Sequence, residues 1–294
     1  MKQIDPNEIS HTDLHKILLG GVAPRPIAFA STIDMDGNPN LSPFSFYNAF
    51  GVNPSTLIFS PSRRGRDNTT KHTYENLKEV PEVVLNAVTY DMVQQMSLSS
   101  TEYPRRVSEF EKSGLTPLKS VKVRPFRVKE SPLQFECKVR EIIETGGKAG
   151  SANLVVCEIV HLHISERIMN LHGAIDTTKL DVVGRMGGNY YVRASGDALF
   201  EVPKPLSSLG IGVDSLPESI RLSKILTGND LGQLGNLEKM PGEEEIREYV
   251  SGMNREKLKS DTISLHKRAH ELIGSGRAGC RGWKGWLPIG MNGT

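Results

Sequence analysis

The stretch Pro24–Ser62 gathers hydroxyl side chains on both sides of one tight turn, a pattern that could bind a polar ligand. Two hydroxyl-rich runs, Ser31-Thr32 and Ser42–Ser45, flank the turn, and Asn48 adds a side chain that can both donate and accept hydrogen bonds. Such groups suit a flat ring with a polar edge. Aromatic residues could contact its face: Phe44, Phe46 and Tyr47. Serine-rich turns are also common in ordinary β proteins, so that interpretation stays open.

A basic loop follows between Ser60 and Asn76, and its residue types are those that bind an anion. Four cations lie within nine residues: Arg63, Arg64, Arg66 and Lys71. A helix is predicted to begin near His72 or Thr73, so its free N–H groups would lie beside these charges and the neighbouring hydroxyls. Together these features favour a phosphate site. The alternatives are a solvated basic loop or part of a nucleic-acid surface, and the second is disfavoured because no aromatic residue stands among the cations.

The elements that would position these groups are short strands with few long helices. A short amphipathic helix ends at Gly20 and Gly21, and Asp36-Gly37 supplies the positive φ that a hairpin turn needs. Hydrophobic patterning predicts strands at Pro26–Thr32, Asn40–Tyr47, Thr56–Ser60, Val83–Thr89, Leu133–Thr145 and Asn153–Ile164, and helices at Lys71–Leu77 and Asp91–Leu98. The last strand is apolar almost throughout, which predicts that it is fully buried. The pattern indicates a mainly β fold, a barrel or a sandwich.

Helix signals dominate after Val202–Pro205, so we expect a domain at 1–204 and a mostly helical extension at 205–294. Ser215 and Glu218 have the spacing of a capping box. Glu243–Val250 carries acids in its first turn, which suits the helix dipole. A further helix is predicted from the spacing of Leu258, Thr262, Leu265, Ala269 and Leu272. The glycine-rich tail Cys280–Thr294 contains Trp283 and Trp286, which suggests that it docks on another surface.

Composition narrows the class of protein. The 294 residues carry 36 basic and 34 acidic side chains, and the formal net charge of +2 gives no global field for nucleic acid. No apolar stretch has the length of a membrane helix. Three cysteines without a CxxC pair suit a reducing cytoplasm. These features predict a cytoplasmic protein with neither a nucleic-acid nor a membrane partner.

Two histidines and two cysteines need separate consideration. His161 and His163 lie two residues apart on a predicted strand, so both side chains point to one face. That spacing could hold a metal, but no third ligand is evident, and a face lining a ligand cleft or a subunit interface is favoured. Cys137 and Cys157 lie in apolar strands and are predicted to be inert core residues. No metal site is predicted, and no catalytic side chain is identified.

Three blocks of the sequence, in order, are similar to those of one protein family. The blocks are PRPIAFASTIDMDGNPNLSPFSFYNAF, FSPSRR followed by KHTYEN, and VGRMGGNYY. They resemble the flavin reductase-like family, which includes nitrilotriacetate monooxygenase component B and flavoredoxin-type proteins. In the family's K-D-T-x-x-N pattern, Lys71, Thr73 and Asn76 match, whereas His72 stands where aspartate is usual. The resemblance covers about residues 20–204.

The resemblance implies an FMN-binding split β-barrel that forms a homodimer with FMN at the interface. Residues expected around the ring and ribityl chain are Ser31, Thr32, Ser42, Phe44, Ser45, Phe46 and Asn48. Those expected at the phosphate are Ser60, Ser62, Arg63, Arg64, Lys71 and Thr73. The implied activity is an NAD(P)H-dependent flavin reductase that transfers hydride to flavin N5, with a partner monooxygenase or another electron acceptor. The alternatives are a flavoredoxin-like electron-transfer protein and a non-enzymatic FMN-binding module.

Overall fold

The structure is a computed structural model that describes residues 1–202, 209–251 and 261–274. It divides into two compact units, Met1–Phe200 and a second that begins at Glu201. The predicted boundary at 204/205 lies outside the described residues, as do Leu258 and the tail from Cys280. None of the helices in the described ranges has the length and apolar composition needed to cross a bilayer.

The first unit is built on an antiparallel sheet of seven strands in the order β2-β1-β5-β8-β9-β4-β3. These strands are β1 (Ala28–Ile33), β2 (Pro39–Phe44), β3 (Tyr47–Val52), β4 (Ser55–Phe59), β5 (Glu82–Asn86), β8 (Leu133–Glu144) and β9 (Asn153–Ile164). Two small antiparallel pairs join β6 (Pro117–Leu118) to β7 (Arg127–Val128) and β10 (Val183–Arg185) to β11 (Tyr191–Arg193). The edge strands β2 and β3 lie in the described part of the chain and are not paired with each other, so the sheet is not closed.

Short helices surround this sheet and make up the second unit. In the first unit they are α1 (His11–Gly21), α2 (His72–Glu79), α3 (Val93–Leu98), α4 (Glu109–Ser113) and α5 (Thr177–Leu180). In the second unit they are α6 (Glu218–Arg221), α7 (Gly228–Gly235), α8 (Glu243–Ser251) and α9 (Thr262–Gly274). Single 3-10 turns lie at Tyr90–Met92, Glu166–Ile168 and Gly196–Ala198. The fold is therefore mainly β with a helical C-terminal part, as predicted.

The hairpin β1–β2 forms where the sequence predicts it. Gly37 has φ +93°, a conformation that glycine adopts without steric cost, and Ile33 pairs with Pro39 across the turn. The Asp34 carboxylate accepts a hydrogen bond from the Asn38 backbone N–H at 2.8 Å and so closes the turn. This hairpin carries both hydroxyl-rich runs and fixes their register.

Strand β1 is buried on both faces because its side chains alternate between two cores. Ala30 belongs to the first core together with Phe59 of β4. Phe29 belongs to the second core, with Met96 of α3 and Phe110 of α4. Helices α3 and α4 therefore cover the face of the sheet opposite the first core.

Strand β9 does not have the full burial that its apolar sequence predicts. Asn153, Val155 and Cys157 are buried, but the intervening residues are half-exposed, and Leu162 is 48% exposed. The error arises because composition alone does not show which face of a strand is covered. The predicted core positions of the cysteines are confirmed, and burial raises the pKa of the Cys137 thiol to about 12.

His163 is held by a buried carboxylate on the neighbouring strand. Glu136 of β8 is fully buried, and its oxygens accept hydrogen bonds from the Val121 and Lys122 backbone N–H groups at 2.8 and 2.6 Å. The same carboxylate lies 2.6 Å from His163 Nε2, and the His163 ring contacts that of His161 edge-to-face at 4.8 Å. Within the described residues, no group of three or more histidine, cysteine or acidic side chains could hold a metal. Glu136, bonded to His163, connects the loop before β7 to the sheet.

Glu136→Gln is expected to lower the free energy of unfolding at pH 7 by about 2 kcal/mol, the value of a charge-assisted hydrogen bond. Burial alone would raise the pKa of Glu136, but the hydrogen bonds from Val121, His163 and Lys122 outweigh burial and hold it below its ordinary 4.5. The stabilisation is therefore full above pH 4.5 and lost as pH falls through the lower native pKa. Urea unfolding from pH 7 to pH 3 should show the two proteins converging in acid. A constant difference across that range would contradict this assignment.

The second unit has its own core, and its capping box differs from the predicted one. Helix α6 begins at Glu218, and Pro217 occupies its N-cap position, so Ser215 is not its cap. A capping box instead forms at α7, where Thr227 and Asp230 bond each other's backbone N–H groups. The predicted helix at Glu243–Val250 is confirmed as α8. Around α7 and α9 packs a core of Leu216, Ile220, Leu226, Leu234, Ala269 and Ile273.

Candidate functional site

The basic loop leaves β4 and enters α2, and it is anchored to the β8–β9 turn. The Asn153 side chain donates to the Pro61 carbonyl at 3.1 Å, and the Arg63 N–H donates to the Ser151 carbonyl at 3.0 Å. At the start of the loop, the Ser60 and Ser62 hydroxyls lie 3.0 Å apart. Helix α2 begins at His72, as predicted, so its first N–H groups open towards this loop.

Three of the four loop cations are engaged by protein groups. Arg63 donates to the Asn68 side chain at 2.8 Å and to its carbonyl at 2.7 Å. Arg64 bonds Glu102 at 3.0 Å, and the largely exposed Arg66 pairs with Glu102 as well. The Glu102 carboxylate thus partly neutralises the charges of Arg64 and Arg66 before any ligand binds, whereas Arg63 bonds only neutral groups.

Lys71 is the exception. It occupies the residue before α2, is half-buried, and has no hydrogen-bond or salt-bridge partner for its ammonium anywhere in the described ranges. Burial, reinforced by Arg64, lowers the pKa of Lys71 despite the opposing effect of Glu102. A half-buried cation without a partner is costly, and an anion placed beside it would relieve that cost.

Glu102 supplies the carboxylate that position 72 lacks. Burial lowers the pKa of His72, with Arg64 acting in the same direction, so the imidazole is neutral at pH 7 and cannot orient cations as aspartate would. Glu102 bonds Arg64 and Arg66 instead. The sequence gives little indication of this pairing, since Glu102 follows Arg64 by 38 residues.

A buried polar network fixes the start of α2 against the hairpin. The Asn40 side chain donates to Thr73 Oγ1 at 2.9 Å, and the Asn76 side chain donates to Thr32 Oγ1 at 3.2 Å. All four residues are buried. Two positions of the KHTYEN motif, Thr73 and Asn76, therefore hold the helix in place, and this positions Lys71 at its N-terminus.

The predicted ring-side residues fall into two groups. Phe44 is buried and packs against Phe59 with ring centroids 5.6 Å apart, so it is part of the core. Phe46 is exposed and meets His15 edge-to-face at 6.3 Å. Asn48 is exposed and bonds the backbone of Ala49. Among this set the residues with accessible surface are Ser42, Ser45, Phe46 and Asn48.

Ser31 and Thr32 are both fully buried on opposite faces of β1. Ser31 lies on the face of Phe29, and its hydroxyl has no hydrogen-bond partner in the described residues. Neither side chain is open to a ligand in this structure, so their contacts with a ring stay predictions, as does that of the buried Thr73.

Arg25 connects Ser45 to two other parts of the chain, although its place in the sequence predicts no role for it. Its guanidinium is 4% exposed and donates to Ser45 Oγ at 3.3 Å, to the Leu19 carbonyl at 2.6 Å and to the Met186 carbonyl at 3.1 Å. A fourth bond goes to the carbonyl of Val22. The first and third sequence blocks thus meet at one buried arginine.

The glycines of the third block allow this close approach. A Cβ on Gly184 would lie 3.1 Å from Pro24 Cβ and 3.2 Å from Val192 Cγ1. A Cβ on Gly187 would lie 3.1 Å from the Gly20 Cα. Both contacts are tight, so glycine at these positions lets β10 and its turn pack against the start of the chain.

Comparisons with known proteins agree with this architecture. Residues 20–176, more than half of the chain, match the family described as flavin reductase like domain. A protein of Aquifex aeolicus of uncharacterized function is 36% identical over 189 residues, which cover 64% of this chain and 94% of that protein.

The solved structures that share the fold include two proteins more than 25% identical to this chain. Nitrilotriacetate monooxygenase component B from Bacillus cereus has a TM-score of 0.64 and 29% identity, with 69% of this chain and 98% of that chain covered. A Shewanella frigidimarina protein assigned as a flavin reductase with a split barrel domain has a TM-score of 0.58 and 27% identity, with 67% of this chain and 95% of that chain covered.

Proposed function

Because the chain belongs to the flavin reductase-like family, we propose that it is an FMN-dependent oxidoreductase that uses NADH or NADPH as its electron donor. The observation that carries the choice of FMN is Lys71, a half-buried ammonium without a protein partner at the N-terminus of α2. A terminal phosphate matches that cation, the hydroxyls of Ser60 and Ser62, and the free helix N–H groups.

Each part of the site has a separate task in this proposal. Lys71 and Arg64 hold the phosphate, with Glu102 orienting Arg64. The surface that faces the ring is formed by Ser42, Ser45, Phe46 and Asn48. Arg25 positions Ser45 by donating a hydrogen bond to its hydroxyl. Bound FMN supplies a ring that accepts a hydride from a nicotinamide at N5 and releases electrons to an acceptor such as a partner monooxygenase. The protein's contribution is to position the donor against the ring.

Homodimer formation is part of the proposal, and exposed apolar surface supports it. Strand β3 exposes Phe50 (64%) and Val52 (94%), and α1 exposes Ile17 and Leu18. Apolar side chains exposed on an edge strand and on a nearby helix are typical of an interface. Sedimentation velocity at micromolar concentration should give a dimer. A monomer that retains firmly bound FMN would show that two chains are not needed to build the site.

The activity test is oxidation of NADH and NADPH by the purified full chain with added FMN and oxygen. We expect multiple turnovers per protein, because hydride transfer needs only correct positioning of donor and ring. His163→Asn should retain appreciable turnover, since His163 bonds Glu136 in the fold. FMN binding without turnover would favour an electron-transfer protein or a binding module. A thousandfold loss in a folded, FMN-loaded His163→Asn would assign that histidine a direct role in the reaction.

A further inference from the structure

A cavity of about 610 Å³ lies where Ser45 meets the β10–β11 hairpin. Its remaining walls come from the 3-10 turn at Tyr90, from α3, from Pro43 of β2 and from Ile27, the residue before β1. This volume is typical of a small-molecule site and is far larger than a lone inorganic ion requires. All of its lining residues belong to the first unit.

The cavity carries positive charge, and only one of its two arginines is paired with a carboxylate in the described residues. Two arginines, Arg185 and Arg193, line it, and none of its described lining residues is acidic. Arg193 is committed to Asp181, with two bonds of 2.7 Å. Arg185 has no carboxylate within salt-bridge distance among the described residues. One guanidinium is therefore available to an anionic ligand.

The walls suit a flat ligand. The Arg185 guanidinium lies over the Tyr191 ring at 4.6 Å, and that of Arg193 lies over the Tyr90 ring at 3.9 Å. Such stacks present planar surfaces and hold the guanidinium in a fixed orientation. The rest of the lining is mixed: it includes the apolar Ile27, Met96 and Val183 and the polar Gln94 and Asn189.

The backbone that carries Arg185 is held on both sides. Its N–H donates to the Arg25 carbonyl at 2.8 Å, and the Arg25 N–H donates to its carbonyl at 2.9 Å. Gly184, the residue before it, packs closely against Pro24 and Val192. The anion-binding group is thus placed before any ligand arrives, which lowers the entropic cost of binding.

We propose that this cavity binds a small planar carboxylate, with the Arg185 guanidinium as its receptor. A carboxylate matches the two parallel donors of a guanidinium, and an aromatic or conjugated body matches the flat, partly apolar walls. The inference rests on the proposed function in one respect: Ser45 belongs both to the ring-side surface and to the cavity wall, so the carboxylate would lie beside the flavin. It would then be the electron acceptor or a ligand that regulates access to the ring.

The test uses benzoate as the probe and benzamide as its neutral counterpart, titrated into the FMN-loaded full chain by calorimetry. Benzoate should bind at least about tenfold more tightly than benzamide, the factor expected of a charge-assisted bond. Arg185→Gln should remove this preference, Arg185→Lys should retain part of it, and FMN affinity should change by less than about twofold in both. Arg167→Gln, which removes an exposed arginine outside the cavity lining, is the control and should behave as the native protein.

Equal affinities for benzoate and benzamide, or a preference that persists in Arg185→Gln, would overturn the proposal. Addition of benzoate should also shift the visible absorption band of bound flavin, and an unchanged band would refute the placement beside the ring. The two proposals fail separately. Benzoate selectivity in a chain that does not bind FMN would contradict the proposed function alone, whereas FMN binding without benzoate selectivity would contradict this inference alone.

Discussion

Replacing Arg25 with alanine is expected to lower the free energy of unfolding of the first unit by about 4 kcal/mol and to weaken flavin binding. A hydrogen bond from a charged donor contributes about 1.5–3 kcal/mol, and several lost from one side chain are less than additive. The Leu19 and Met186 carbonyls would lose their donor, and Ser45 would lose its support. Urea denaturation followed by circular dichroism measures this loss of stability. Tryptophan fluorescence is less suitable because the first unit, Met1–Phe200, contains no tryptophan.

Arg25→Lys is the matched control for charge. It keeps the cation but cannot reach acceptors on three separate segments at once, so its stability should fall between those of the native protein and the alanine variant. The Arg25→Ala variant could instead have the same urea midpoint as the native protein and bind FMN equally well. That result would show that the hydrogen bonds of Arg25 do not hold the first and third sequence blocks together.

Lys71→Ala is expected to weaken FMN binding about ten- to hundredfold, since a charge-assisted phosphate contact is worth about 1.5–3 kcal/mol. Riboflavin, which has no phosphate, should bind the variant and the native protein equally. Because Lys71 is half-buried, the difference should persist at 0.5 M salt better than that of an exposed pair would. Fluorescence quenching of added flavin gives both affinities.

Arg66→Ala removes the same charge from the same loop and serves as the control. Arg66 is largely exposed and already pairs with Glu102 and Asp67, so its loss should change FMN affinity by no more than about twofold. Native-like FMN affinity in Lys71→Ala would place the phosphate elsewhere. An equal loss in both variants would indicate a diffuse electrostatic effect in place of a specific contact.

Local features of the fold could be predicted because their causes are local. The hairpin turn at Asp36-Gly37 depends on one positive φ, and the beginning of α2 depends on neighbouring residues. The place of the basic loop, between a strand and the start of a helix, could likewise be predicted from the sequence. The free Lys71 could not be distinguished from the engaged Arg63, because their difference arises from folding partners.

Other features depend on contacts between distant residues. Arg25 meets Met186 across 161 positions, and Arg64 meets Glu102 across 38, so neither pair is visible in a motif. Strand β9 was predicted to be fully buried, but burial depends on which elements cover each face. The capping box expected at Ser215 does not form because residues 213–216 make a turn and Pro217 takes the N-cap position of α6.

The central claim is that this chain binds a flavin through a site specific for its terminal phosphate. The most direct measurement compares FMN and riboflavin affinities of the same flavin-free preparation by calorimetry at moderate salt. The account predicts that FMN binds at least about tenfold more tightly, and that Lys71→Ala removes most of the difference. Equal affinities of the native protein for FMN and riboflavin would contradict it.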